Sequence, residues 1–175
     1  VGFLDSLWYW LASIFQPAPA PQRLVYVGYT VIPISAARLD DNGLAFLKAR
    51  EGWRSKPYRD IKGNLTIGHG HLIIPGDGLS VSSVLTPEQG EIILRRDVAI
   101  AESAVRRAIK VPVSQNQFNS MVSYAFNIGG GAFAGSDVAK YLNASDPARA
   151  RASFYAKPIE LAGRRALEQE LFSTI

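Results

Sequence analysis

The chain has 175 residues, 47% of them hydrophobic and 19% charged, which is enough for one globular domain with a sizeable core and excludes a disordered chain. It has no cysteine, so disulfide staples, thiol nucleophiles and thiolate metal sites are excluded. A net charge of +4 favours acidic partners such as nucleic acid, anionic lipid or the bacterial cell wall, and simple solubility accounts for it equally well.

Phe3, Leu4, Leu7, Trp8, Leu11, Ile14 and Phe15 recur at helical spacing, which predicts a short helix within residues 1–17 with one apolar side. The stretch is too short to span a bilayer, carries Asp5, and lacks the basic start of a secretory signal. It is expected to pack on the domain, to lie in a membrane interface, or to contact a partner as part of something larger. Pro17-Ala18-Pro19-Ala20-Pro21 reads as a semi-rigid extended linker. Leu24 to Ile34 is rich in Val, Tyr and Ile and reads as one strand or extended segment, broken at Pro33.

Asp40, Asp41 or Asn42 can cap a helix running to about Glu51, with Leu44, Leu47 and Phe46 inward. Residues 56–74 hold two or three short strands, with a tight turn at Gly63-Asn64 and with Gly68 and Gly70 bracketing His69. Pro75 to Gly78 is a loop. Thr86-Pro87-Glu88-Gln89 is a capping box with Pro at the first helical position. The helix it opens carries Ile92, Ile93, Val98, Ala101, Val105 and Ile109. Ser114 to Gln117 is a second capping box, opening a helix with Phe118, Met121, Val122 and Ala125 that Gly129-Gly130-Gly131 ends. Further helices are expected near 136–143, 147–156 and 158–172. The plan is α+β and mainly helical: a small β-hairpin lobe, a larger helical lobe, and a long helix joining them. Residues 1–37 read as an N-terminal extension and 38–175 as the main domain.

Two carboxyl groups nine residues apart carry the chemistry. Glu51 closes a predicted helix, where the negative end of the dipole disfavours ionisation, as a general acid requires; a nearby Arg would oppose this. Asp60 precedes a turn, is better solvated, and stays ionised at neutral pH. Thr66 lies across the hairpin and offers a hydroxyl that can orient water with Asp60. Two carboxyls in unlike environments facing one cleft are the minimum equipment for cutting a glycosidic bond. His69 and His71 share one side of a strand, but no third His exists, so no metal site is expected. His71 is expected to support the hairpin through hydrogen bonds. Arg95-Arg96 and Arg106-Arg107 lack interleaved aromatics and read as a solvated face, so nucleic acid is not an expected partner. No nucleophile elbow, Walker loop or Rossmann fingerprint is present.

The run from Glu51 to His71, with Thr66-Ile67-Gly68 and Gly70-His71-Leu72 as flanks, resembles the catalytic signature of bacteriophage-type lysozymes, the endolysins of glycoside hydrolase family 24. Tyr124 to Gly129 resembles the family's cleft-lining helix end. Gly163-Arg164-Arg165 through Glu168 and Leu171-Phe172 resembles its C-terminal Arg-rich helix. The likeness covers residues 38–175 and none of residues 1–37. It implies a lysozyme-like fold with the active-site cleft between the two lobes. Glu51 would protonate the leaving oxygen, with Asp60 as second carboxylate and Thr66 as its water-positioning partner. Leu72, Phe126, Asn127 and Ser136 would line the sugar cleft, His71 would support it, and Arg164 (or its neighbour Arg165) would pair with Glu51. The implied activity is inverting hydrolysis of the β-1,4 bond between N-acetylmuramic acid and N-acetylglucosamine in bacterial peptidoglycan. No cofactor is expected, the protein would work as a monomer, and it would act in the periplasm or cell wall. Residues 1–17 would contact a membrane or a protein partner. Two rival readings are a non-catalytic wall-binding module on the same fold and a membrane-active antibacterial protein acting through residues 1–17. His69 stands where the family commonly has an apolar or aromatic residue.

Overall fold

The computed structural model describes residues 24–26, 29–60, 62–154 and 159–174. The expected helix within 1–17 and the Pro/Ala linker lie outside the described residues. Leu24 to Ile34 is not one strand. It forms β1 (Leu24–Tyr26) and β2 (Tyr29–Val31), an antiparallel pair with Leu24 opposite Val31 and Tyr26 opposite Tyr29. The strand-forming residues outweighed Gly28, the turn-former at the middle of the run, in the single-strand reading. Ile32 then bridges to Val113, each backbone N–H donating to the other's carbonyl, at 2.8 and 3.1 Å. A 3-10 turn at Ile34–Ala36 leads to Ala37, which is fully buried in the core.

Helix α1 is Asp41–Glu51, and its cap is Asp40. Asp40 Oδ1 accepts from the Gly43 amide at 2.8 Å and from Asn119 Nδ2 at 2.7 Å. One side chain thus caps α1 and ties it to a helix 79 residues further along. Leu44 and Leu47 are buried, while Phe46 is half-buried under the Arg50 guanidinium. Gly52, at φ +72°, stops the helix directly after Glu51.

The small lobe is a three-stranded antiparallel sheet in the order β3 (Arg54–Arg59), β4 (Leu65–Gly68), β5 (His71–Leu72). Thr66 sits opposite Tyr58 on one side and Leu72 on the other. Helix α2 (Pro87–Ala108) has 22 residues, so it is about 33 Å long. It packs against β4 and β5 near its start and against the helical lobe further on. Both halves of the Thr86–Gln89 capping box are formed. Its buried stripe is Leu94, Val98, Ala101 and Val105. Ile92, assigned to that face from the sequence, is instead 70% exposed, because two residues from Leu94 is about 200° around the helix.

Helix α3 (Gln115–Ile128), also opened by a complete capping box, is the centre of the helical lobe. Phe118, Met121, Val122 and Ala125 are buried to 1% exposure or less. The glycine run after it does more than end it. Gly129 caps α3 at φ +89°, and Gly130–Ala134 forms a short helix, α4. A Cβ on Gly130 would lie 2.6 Å from the Ala104 Cβ, so the bare glycine lets α4 sit tightly on α2. Helices α5 (Asp137–Asn143), α6 (Pro147–Ala152), a 3-10 turn (Ile159–Leu161) and α7 (Ala162–Ser173) complete the lobe. The helix expected over 147–156 stops at Ala152, with Ser153 as its cap. An aromatic chain of Phe133, Tyr124, Phe154 and Phe172, with centroids 5.0 to 6.3 Å apart, joins α3, α4 and α7. Among the described residues, no helix is long and apolar enough to cross a membrane.

The seam between α1 and α3 yields a prediction. Alanine in place of glycine favours a helix by about 1 kcal/mol. A Cβ on Gly43, however, would lie 2.6 Å from Asn119 Cγ, and Asn119 is fully buried. Overpacking of this kind costs about 1–3 kcal/mol, and here it also displaces Asn119 from Asp40. Gly43→Ala is therefore expected to lower the thermal unfolding midpoint by several degrees; a midpoint at or above the parent value would refute the packing at this seam.

Candidate active site

Glu51 is the last residue of α1, and its side chain is 20% exposed. Its Oε1 accepts from Arg164 Nη1 at 2.8 Å. Its Oε2 faces the turn between β4 and β5: a Cβ on Gly70 would be 3.8 Å away. Gly70 has φ +85°, a conformation that glycine adopts freely, so the turn passes the carboxyl without a side chain between them. His69 reaches across to the same place and places Nδ1 on the Gly52 carbonyl. Its ring also packs on Trp53, with centroids 5.1 Å apart. The turn is thus tied to the end of α1 at the residue after Glu51. The sequence marked His69 only as unusual.

Asp60 begins the turn between β3 and β4. Its Oδ1 accepts from the Lys62 and Asn64 amides at 2.8 Å each, and its Oδ2 accepts from Asn64 Nδ2 at 3.0 Å. The Asn64 side chain, followed by the Asn64 and Lys62 amides, holds the Asp60 carboxyl below the usual carboxylate range. Thr66 is 5% exposed, and its hydroxyl donates to the Asn64 carbonyl at 3.2 Å. Asn64, read from the sequence only as a turn residue, therefore joins Asp60 to Thr66. Its position four residues after an Asp in a Gly-containing turn is the signal that could have found it.

The sequence allows either Arg164 or Arg165 as the partner of Glu51. In the structure Arg164 makes the contact. Its three nitrogens go three ways: Nη1 to Glu51, Nε to Glu168 Oε1 at 3.1 Å, and Nη2 to the Ser123 carbonyl at 3.3 Å. Arg165 turns inward, 2% exposed, because neighbours on a helix point about 100° apart. It donates to Glu168 Oε2 and to Asn127 Oδ1, and its guanidinium lies 4.6 Å from the Tyr124 ring centroid. Glu168 has no exposed surface and also accepts from Ser123 Oγ at 2.7 Å.

The other candidate positions are spread over both lobes. Leu72, 47% exposed, stands beside Thr66 on β5. Phe126 is half-buried near the end of α3, and the Asn127 side-chain oxygen is occupied by Arg165. Ser136 caps α5, its Oγ accepting from the Ala139 amide at 3.3 Å. It also lines an open groove of about 600 Å³ with Tyr124, Ile128, Gly135 and Ser153. His71 is buried. Its Nδ1 donates to Asp97 Oδ2 at 2.7 Å, and its Nε2 lies 3.2 Å from Asp77 Oδ2. It struts the sheet against α2 and the following loop. Asp77 in turn accepts from the Ile74 and Leu79 amides, which hold its carboxyl below the usual range. Among the described residues, no group of three or more His, Asp or Glu is placed to hold a metal ion.

The chain is similar in sequence and fold to known proteins. The family model described as phage lysozyme matches residues 48–167. The endolysin of Salmonella phage P22 is 35% identical over 142 residues, which cover 77% of this chain and 97% of that protein. The endolysin of Bacillus phage PZA is 38% identical over 146 residues; these cover 78% of this chain, which spans only 55% of that relative's length. Among solved structures, a P22 lysozyme mutant superposes with a TM-score of 0.72 at 36% identity, covering 78% of this chain and 99% of the other. The muramidase domain of SpmX from Asticaccaulis excentricus superposes with a TM-score of 0.71 at 29% identity, covering 79% and 99%. With a lysozyme-like fold, the Glu51–Arg164 pair and these matches together, the chain belongs to the phage lysozyme family.

Proposed function

We propose that the chain cuts the β-1,4 bond between N-acetylmuramic acid and N-acetylglucosamine in peptidoglycan, with inversion at the anomeric carbon. The enzyme class, a lysozyme, follows from the family. The observation that carries the rest is the unlike treatment of the two carboxyls. Glu51 is mostly enclosed at the end of α1, with Arg164 on one carboxyl oxygen and the Gly70 turn beside the other. Asp60 is half-buried at the start of an exposed turn, with three N–H donors on its oxygens, which favour its ionised form.

In this reading Glu51 gives its proton to the leaving oxygen. A water held by Asp60 and Thr66 attacks the anomeric carbon from the opposite face, and Asp60 takes the proton the water releases. An inverting enzyme needs room for that water between the carboxyls. Acid, base and water complete the reaction without a cofactor. Leu72, Phe126, Asn127 and Ser136 would contact sugar or its attached groups, with His71 bracing the hairpin. Residues 38–175 would be the muramidase domain, active as a monomer in the periplasm or cell wall. Residues 1–37 would be an extension whose end, from Val31 to Ala37, is docked on the core, and residues 1–17 would contact a membrane or partner.

Glu51→Gln is expected to lose wall-clearing activity by about 10³-fold, with binding to purified wall retained. A variant that clears wall at the parent rate would defeat the proposal. Mass spectrometry of the digest should show reducing N-acetylmuramic acid ends, and proton NMR of fresh product should show the α-anomer first. A β-anomer would remove the inverting step.

Asp60 provides a second test. Its lowered value means that folding favours the ionised form. That contribution to stability is present above the ordinary value of 3.8 and is lost as pH falls through the lower folded value. Carboxylate NMR should place the Asp60 midpoint below 3.8, and Asn64→Ala should raise it. A parent midpoint at or above the ordinary value would contradict the turn geometry.

A further inference from the structure

Arg164 poses a problem for the mechanism. A guanidinium 2.8 Å from Glu51 favours the ionised carboxylate, yet a general acid must carry a proton. The structure contains an answer on the far side of the same guanidinium. Glu168 lies fully buried and binds Arg164 Nε through Oε1 and Arg165 Nη1 through Oε2, with Ser123 Oγ donating to it as well. A carboxylate in such a place survives only because cations and donors surround it.

Extending the reading of Glu51 as the acid, we propose that Glu168 is a positioning residue for that acid. It fixes the plane of Arg164 and offsets the charge of the two arginines, so Glu51 keeps its proton at the pH where wall is cut. The geometry supports both parts. With Nε tied to Glu168 and Nη2 to the Ser123 carbonyl, Nη1 is aimed at Glu51. With Glu51 protonated, the cluster of Arg164, Arg165 and Glu168 carries a net charge of +1; removing the Glu168 charge makes it +2. The groups facing Glu168 are known on each side. Arg164 and Arg165 come from its own helix and Ser123 from α3; Glu51 of α1 reaches it only through Arg164, and Tyr124 and Asn127 of α3 only through Arg165. From α6, Arg151 donates to the Gln169 carbonyl at 3.2 Å.

The test is the pH dependence of the initial rate on purified peptidoglycan, measured beside thermal unfolding for the parent, Glu168→Gln, Arg165→Gln and the double variant. Glu168→Gln should move the alkaline limb to lower pH by roughly one unit. Arg165→Gln, which removes a cation and leaves Glu168, should move it to higher pH. The double variant restores the charge of +1, and its limb should return toward the parent position. Loss of packing alone would lower rates without opposite shifts. If Glu168→Gln fails to fold, the direction of the Arg165→Gln shift decides the matter by itself. A limb that does not rise in Arg165→Gln, or that stays displaced in the double variant, would overturn the proposal. Glu51→Gln separates the two levels. If it stays active, the reading of Glu51 fails; if it is inactive while the limbs do not move, only the role of Glu168 fails.

Discussion

Arg164 reaches from the last helix to the end of the first and holds Glu51 at 2.8 Å, with Glu168 and the Ser123 carbonyl on its other nitrogens. Three elements far apart in the chain, α1, α3 and α7, meet at this one guanidinium. Arginine suits the task because its donors are rigidly forked, so two anchored nitrogens aim the third. A lysine would offer a point charge and no plane. The constraint also explains why α7 carries a buried acid. Two guanidinium groups, one of them fully enclosed, need a carboxylate among them, and the hydroxyl of Ser123 completes its shell. The aromatic chain from Phe133 to Phe172 holds α7 against α3 so that this polar cluster stays in register.

The opposite wall of the site is built from backbone. Gly52 ends α1 immediately after Glu51, and Gly70 brings the β4–β5 turn to the second carboxyl oxygen without a side chain. His69 fastens that turn to the Gly52 carbonyl and rests on Trp53. Gly90 leaves room for the Trp53 ring: a Cβ there would fall 2.0 Å from Cζ3. The start of α2 and the end of α1 are thus fitted to each other through one indole. Asp60 is handled differently, by an Asn-centred turn open to water. The two acids differ because one sits at a closed helix end and the other on a solvated hairpin.

Much of this was legible in residue order. Thr86 and Ser114 announced two helices because a capping box is a local pattern of four residues. The spacing of Glu51, Asp60 and Thr66 marks a candidate site, and the family is shown by the match over residues 48–167. What stayed hidden was tertiary. Nothing local separates Arg164 from Arg165, since both pair with Glu168 and the partners that tell them apart, Glu51 in α1 and Asn127 in α3, lie more than thirty residues away. Glu168 reads as one more acid on an amphipathic helix until α3 covers it. Ile92 looks apolar enough for the core but lies on the wrong side of its helix. The glycines at 129–131 read as a stop, and their second use, seating α4 on Ala104, depends on a neighbour no local pattern names.

The central claim is that Glu51 donates a proton to the glycosidic oxygen while Asp60 and Thr66 hold the attacking water. A crystal structure of the Glu51→Gln variant with a peptidoglycan tetrasaccharide tests it directly. The amide of residue 51 should lie about 3 Å from the scissile oxygen, with a water between Asp60, Thr66 and the anomeric carbon. A sugar bound with its scissile bond away from residue 51, or with Asp60 pressed directly on the anomeric carbon and no space for water, would contradict it.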